Sequence, residues 1–104
     1  MRLSQELELY DNQLTNLPSE IWGLTDLRML GLSGNQLTSL APEIGQLIRL
    51  QQFDLSNNQL RCFPSEIRTL TDLQQLDLSG NLFSPSPSEI RHFPYLWRFS
   101  GERI

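Results

Sequence analysis

The chain has 104 residues, a formal net charge of −4, a single cysteine and 38% hydrophobic residues, a balance that suits one globular domain with a modest core and no disulfide staples. Its charges are mixed in sign and form no basic patch, which argues against a nucleic-acid binder and against docking on an anionic membrane. No apolar run approaches the length of a membrane span.

The basic residues, 8 in all, are arginines, whose forked guanidinium suits carboxylates better than a lysine point charge. The chain begins with Met1 and lacks a charged-then-apolar secretory pattern. Cys62 has no internal partner, so a reducing, cytoplasmic setting is expected.

Slid against itself by 23 residues, the chain matches. "LELYDNQLTNLPSEI" (7–21), "LGLSGNQLTSLAPEI" (30–44), "FDLSNNQLRCFPSEI" (53–67) and "LDLSGNLFSPSPSEI" (76–90) fall into register without a gap. The units run 4–26, 27–49, 50–72 and 73–95, with a partial closing unit at 96–104, all within one domain.

Each unit opens with an alternating pair: Leu7 and Leu9, Leu30 and Leu32, Phe53 and Leu55, Leu76 and Leu78. Period-two alternation predicts a short half-buried strand. One such strand cannot bury itself, but stacked parallel strands can, at about 4.8 Å per neighbour. Asn12, Asn35, Asn58 and Asn81 follow; a buried amide in a turn can satisfy backbone groups that lose partners where the strand stops. Leu14, Leu37, Leu60 and Phe83, then Leu17, Leu40 and Phe63, point inward again. "PSEI" or "APEI" predicts a brief helical or 3₁₀ turn, with proline in its first turn, glutamate near its positive end and Ile21, Ile44, Ile67 and Ile90 on its buried side.

These residues resemble the leucine-rich repeat, LxxLxLxxNxL, over nearly the whole chain. The 23-residue unit with "LPSEI" is similar to the intracellular class found in plant Ras-group and bacterial effector proteins. The resemblance implies an α/β repeat solenoid: a short right-handed horseshoe with a parallel concave sheet and short helical segments on the convex side. It also implies protein binding, and a cytoplasmic location, in the host cytosol if the chain is a delivered effector. Ser4, Leu82 and Ser86 depart from the pattern. Phe93 and Phe99 are expected to close the stack against water. Trp22 is expected on the outer side, as a cover beside Leu3 or as a second contact.

Residues flanking the inward pair face the other way and form the candidate interface. Glu6, Glu8 and Tyr10 come from the first unit, Arg28 and Met29 from the second, Gln52 and Asp54 from the third, Gln75 and Asp77 from the fourth, and Trp97 and Arg98 from the last. Tyr10, Met29 and Trp97 are the expected anchors, because large side chains dominate binding hot spots. Gly31, Ser33, Gly34 and Gly80 are expected to leave the middle open to a partner's approach.

Catalysis is not expected. His92 and Cys62 occupy different columns of the repeat, and one of each supplies neither a nucleophile–base pair nor a zinc set. Asp54 and Asp77 are expected as hydrated carboxylates rather than a cation site, and no phosphate-cradling loop occurs. The expectation is a non-enzymatic monomer without metal or cofactor that binds one folded protein, an enzyme being one candidate, and regulates or inhibits it by occlusion. A scaffold bridging two partners through Trp22 and the outer face is the alternative, and an enzyme with a carboxylate or thiol site the weaker one.

Overall fold

Three-residue strands recur because the apolar pair is followed by a residue that must turn left. The computed structural model describes residues 5–62 and 64–82. In it Asp11, Gly34, Asn57 and Gly80 hold φ values of 57°, 74°, 57° and 72°. That left-handed region favours Gly, Asn and Asp over branched or bulky residues, so each strand ends at the same column.

The strands are β1 (Glu6–Glu8), β2 (Met29–Gly31), β3 (Gln52–Asp54) and β4 (Gln75–Asp77). They form one parallel sheet in the order β1-β2-β3-β4. Leu7 lies beside Leu30, Leu30 beside Phe53, and Phe53 beside Leu76, so the 23-residue period becomes the sheet register. The ladder continues into the turns: Asp11, Gly34 and Asn57 donate their backbone N–H groups to the carbonyls of Ser33, Ser56 and Ser79 at 2.9, 3.1 and 2.8 Å.

The chain returns through three 3₁₀ turns, Ser19–Gly23, Pro42–Gln46 and Ser65–Thr69. Proline was expected inside the first turn of each. Only Pro42 stands there; Pro18 and Pro64 precede the turn with extended ψ of 145° and 147°. A fixed φ near −65° serves either place, and proline's missing N–H matters in neither. Ile21, Ile44 and Ile67 are buried and accept the N–H of Leu24, Leu47 and Leu70.

The core is one stripe sealed between sheet and turns. Leu27, Leu30, Leu32, Leu37, Ile44, Leu47, Leu50, Leu55, Leu60, Ile67 and Leu70 are buried, as are Phe53, Leu76 and Leu78. Each such side chain contributes roughly 1.5–3 kcal/mol through removal from water. Leu7, Leu9, Leu17 and Leu24 of the first unit are partly buried against it. Trp22 belongs to this core at 7% exposure. That corrects the contact reading: a buried indole offers no surface to a second partner. Leu3, Phe63, Phe83, Ser86, His92, Phe93 and Phe99 lie outside the described residues.

The asparagines knit the repeats together. Asn58 accepts the Leu37 N–H at 3.1 Å and donates to the carbonyls of Leu32 and Leu55 at 2.9 and 3.0 Å. Asn35 makes the same set one unit earlier, with Leu14, Leu9 and Leu32, and Asn81 one unit later, with Leu60, Leu55 and Leu78. The exposed Asn12 donates its side-chain amide within its own turn, to the carbonyls of Leu9 and Tyr10, and only its backbone N–H reaches the next unit, at Asn35 Oδ1. No described buried side-chain polar atom lacks a partner.

A candidate protein interface on the concave sheet

Alternation along three-residue strands leaves two columns of side chains on the uncovered face. Glu6, Met29, Gln52 and Gln75 stand in one row, and Glu8, Gly31, Asp54 and Asp77 in the next. Glu6, Glu8, Gln52 and Gln75 are exposed, while Met29, Asp54 and Asp77 are half-buried. Tyr10, just beyond β1, is 58% exposed, and Arg28, just before β2, is also exposed. Seven of the proposed interface residues thus stand in the strand rows of one face, with Tyr10 just past the end of β1 and Arg28 at the edge of the sheet; Trp97 and Arg98 lie outside the described residues.

The middle of the face is not open as expected. The Glu8 carboxylate lies over Gly31, in the space a side chain there would fill, and Gly31 is buried beneath it. Asp11 leans over Gly34 and Asn57 over Gly80 in the same manner. The small residues therefore seat acidic and amide side chains of the preceding unit rather than a partner's backbone. Desolvation in this seat pushes the Glu8 carboxyl above its ordinary value, and the nearby charge of Asp54 adds to the effect. Both favour the neutral acid.

Asp54 and Asp77 are also more constrained than free surface carboxylates. One oxygen of Asp54 accepts the Ser56 N–H at 3.0 Å and its hydroxyl at 2.7 Å; Asp77 does the same with Ser79 at 3.1 and 2.7 Å. Ser56 and Ser33 join across units through their hydroxyls at 2.9 Å. Sequence reasoning placed both aspartates on the surface but passed over their fixing. The signal was present as the repeated Asp-Leu-Ser at 54–56 and 77–79.

The face thus offers a rigid row of acceptors with larger side chains, Tyr10 and Met29, toward the first units. It is suited to hydrogen bonds and to positive groups. Nothing in it resembles a reacting set: Cys62 is a free, exposed thiol away from the sheet. Among the described residues no group of three or more His, Cys, Asp or Glu could hold a metal ion.

Comparison with known proteins follows the same lines. A family model described as leucine rich repeat matches residues 34–83. A leucine-rich-repeat protein of Leptospira interrogans is 45% identical with a TM-score of 0.82, over 89% of this chain and 24% of its own. The leucine-rich-repeat ectodomain of the receptor kinase SOBIR1 from Arabidopsis thaliana is 35% identical with a TM-score of 0.70, over 91% of this chain and 54% of its own. The plant peptide hormone receptor RGFR1, solved in complex with RGF2, is 33% identical with a TM-score of 0.75, over 96% and 17%. The chain therefore spans about a quarter of the length of the Leptospira protein. A search of curated proteins returns no significant match. Proteins built on this repeat are in general interaction modules, and the fold is typically a non-enzymatic scaffold. With the repeat register, the asparagine ladder and these similarities in agreement, the chain belongs to the leucine-rich-repeat proteins.

Proposed function

We propose that the concave sheet binds one folded protein partner and regulates it by covering its surface. The observation that carries this reading is the asymmetry of the sheet. Its inner face is sealed with leucine and phenylalanine, while its outer face holds Tyr10, Met29, Gln52, Asp54, Gln75 and Asp77 with no described layer over them. Asp54 and Asp77 are held in fixed orientation, so little side-chain freedom is lost on binding. The similar plant peptide hormone receptor RGFR1, solved in complex with RGF2, is a precedent for partner binding by a protein with this fold. A cytoplasmic site of action is part of the proposal, supported by the unpaired Cys62.

The test is affinity capture from lysate, comparing the intact chain with Tyr10→Ala/Met29→Ala/Gln52→Arg. Gln52 is the better charge change than Asp54, because Asp54 also holds the Ser56 turn. Loss of a specific partner, with the fold intact by circular dichroism, supports the reading. The same partner retained at unchanged affinity overturns it.

A further inference from the structure

A second surface lies on the edge of the solenoid where each 3₁₀ turn passes into the next strand. It is a groove of about 510 Å³ walled by Arg28, Ile48, Arg49, Thr69, Thr71 and Asp72. Here one dipeptide differs from the two that flank it in the stack. Before Leu27 stands Thr25-Asp26 and before Leu73 stands Thr71-Asp72; between them, before Leu50, stands Ile48-Arg49.

Arg49 has an ordinary account. It shares a column with Asp26 and Asp72, standing between them, and approaches Asp26 at 3.8 Å, with both side chains more than half exposed. Ile48 has none: it is 55% exposed where the stacked neighbours carry threonine. Thr69 turns its hydroxyl to the carbonyls of Gly45 and Glu66 at 3.0 and 2.9 Å, so this wall is not a free polar one. Arg28, at one end, has no carboxylate within salt-bridge distance among the described residues. Asp72 stands at the other end, two units away.

We propose that this groove binds a protein segment carrying a carboxylate side chain next to an apolar one. The apolar side chain covers Ile48, and the carboxylate meets the forked guanidinium of Arg28, which matches its geometry. Asp72 repels a carboxylate at the opposite end and so sets the direction of the segment. The site differs in charge preference from the acidic concave face and stands independently of that reading.

The experiment uses the full ¹⁵N-labelled chain, titrated with two blocked peptides, acetyl-Glu-Leu-Gln-amide and acetyl-Lys-Leu-Gln-amide. Amide resonances of Ile48, Arg49, Gln51 and Thr71 are expected to shift with the first at roughly millimolar affinity and at least about tenfold less tightly with the second. Ile48→Thr/Arg49→Asp restores the chain's own dipeptide and so keeps the repeat; it is expected to abolish these shifts. Arg28→Gln is expected to erase the preference between the peptides. Equal binding of both peptides by the intact chain, no shift up to about 20 mM peptide, shifts unchanged in Ile48→Thr/Arg49→Asp, or shifts confined to Gln52 and Gln75 on the sheet would each overturn the proposal.

Discussion

Replacing Asn58 by alanine removes a buried side chain that is 5% exposed and touches two neighbouring turns of the coil. Its four contacts are not equal. The carbonyl of Leu32 keeps a bond from Asn35, that of Leu55 keeps one from Asn81, and that of Ser56 keeps the Gly34 N–H. The Leu37 N–H has Asn58 as its acceptor and loses it. One orphaned buried donor costs about 1–3 kcal/mol and each of the two lost side-chain amide N–H bonds about 0.5–1.5 kcal/mol, so the expected loss is roughly 2–6 kcal/mol. That is a large share of the ~5–15 kcal/mol that holds a typical domain. Asn12→Ala removes two exposed bonds to its own turn and is expected to cost under about 1 kcal/mol. Urea unfolding followed by circular dichroism and by tryptophan fluorescence measures both, with coincident transitions required. Equal losses for the two variants, or less than ~1 kcal/mol at Asn58, would refute the reasoning that the ladder satisfies backbone groups between units.

Three further outcomes follow from the same geometry. Because the Glu8 carboxyl is raised in the folded state, its charge opposes folding at neutral pH, and stability relative to Glu8→Gln rises as pH falls through the folded value; parallel pH–stability curves for the two proteins would contradict this. Gly45→Ala places a methyl against Thr69 and the Glu66 backbone at 3.0–3.2 Å and should cost about 1–3 kcal/mol by overpacking, whereas Gly31→Ala meets only the flexible end of Glu8 and should cost less; chemical denaturation ranks the pair. Trp22→Ala should lower stability by about 3–5 kcal/mol as a core truncation, and a Trp22→Ala protein of unchanged stability would return the indole to the surface.

The fold was legible because every column of the repeat has one physical duty. The inward pairs Leu30 and Leu32 or Phe53 and Leu55, the asparagines and the Ile44–Leu47 spacing each state their place through period alone. What the period hid were departures from it and contacts between columns. Gly31 read as an opening, but a gap in one unit is a seat for the previous unit's Glu8. Trp22 shares its column with Gly45, Arg68 and Arg91 and so read as outer, yet its large apolar ring is buried in the core while the charged Arg68 stays exposed. Ile48-Arg49 stands out only when stacking sets it between Thr25-Asp26 and Thr71-Asp72. The exposed residues of the strand rows were found by alternation; the fixing of Asp54 and Asp77 by Ser56 and Ser79 depends on turn geometry that alternation does not encode.

One face of the stacked strands is sealed and the other is open to solvent. Solvent paramagnetic relaxation in the unmodified chain tests this directly, with a neutral gadolinium chelate and the side-chain amides as reporters. The signals of Gln52 and Gln75 should broaden strongly, while those of Asn35 and Asn58, and the methyls of Leu30, Leu55 and Leu78, should not. Broadening of Asn58 and Leu55 to the same degree as Gln52 would contradict it.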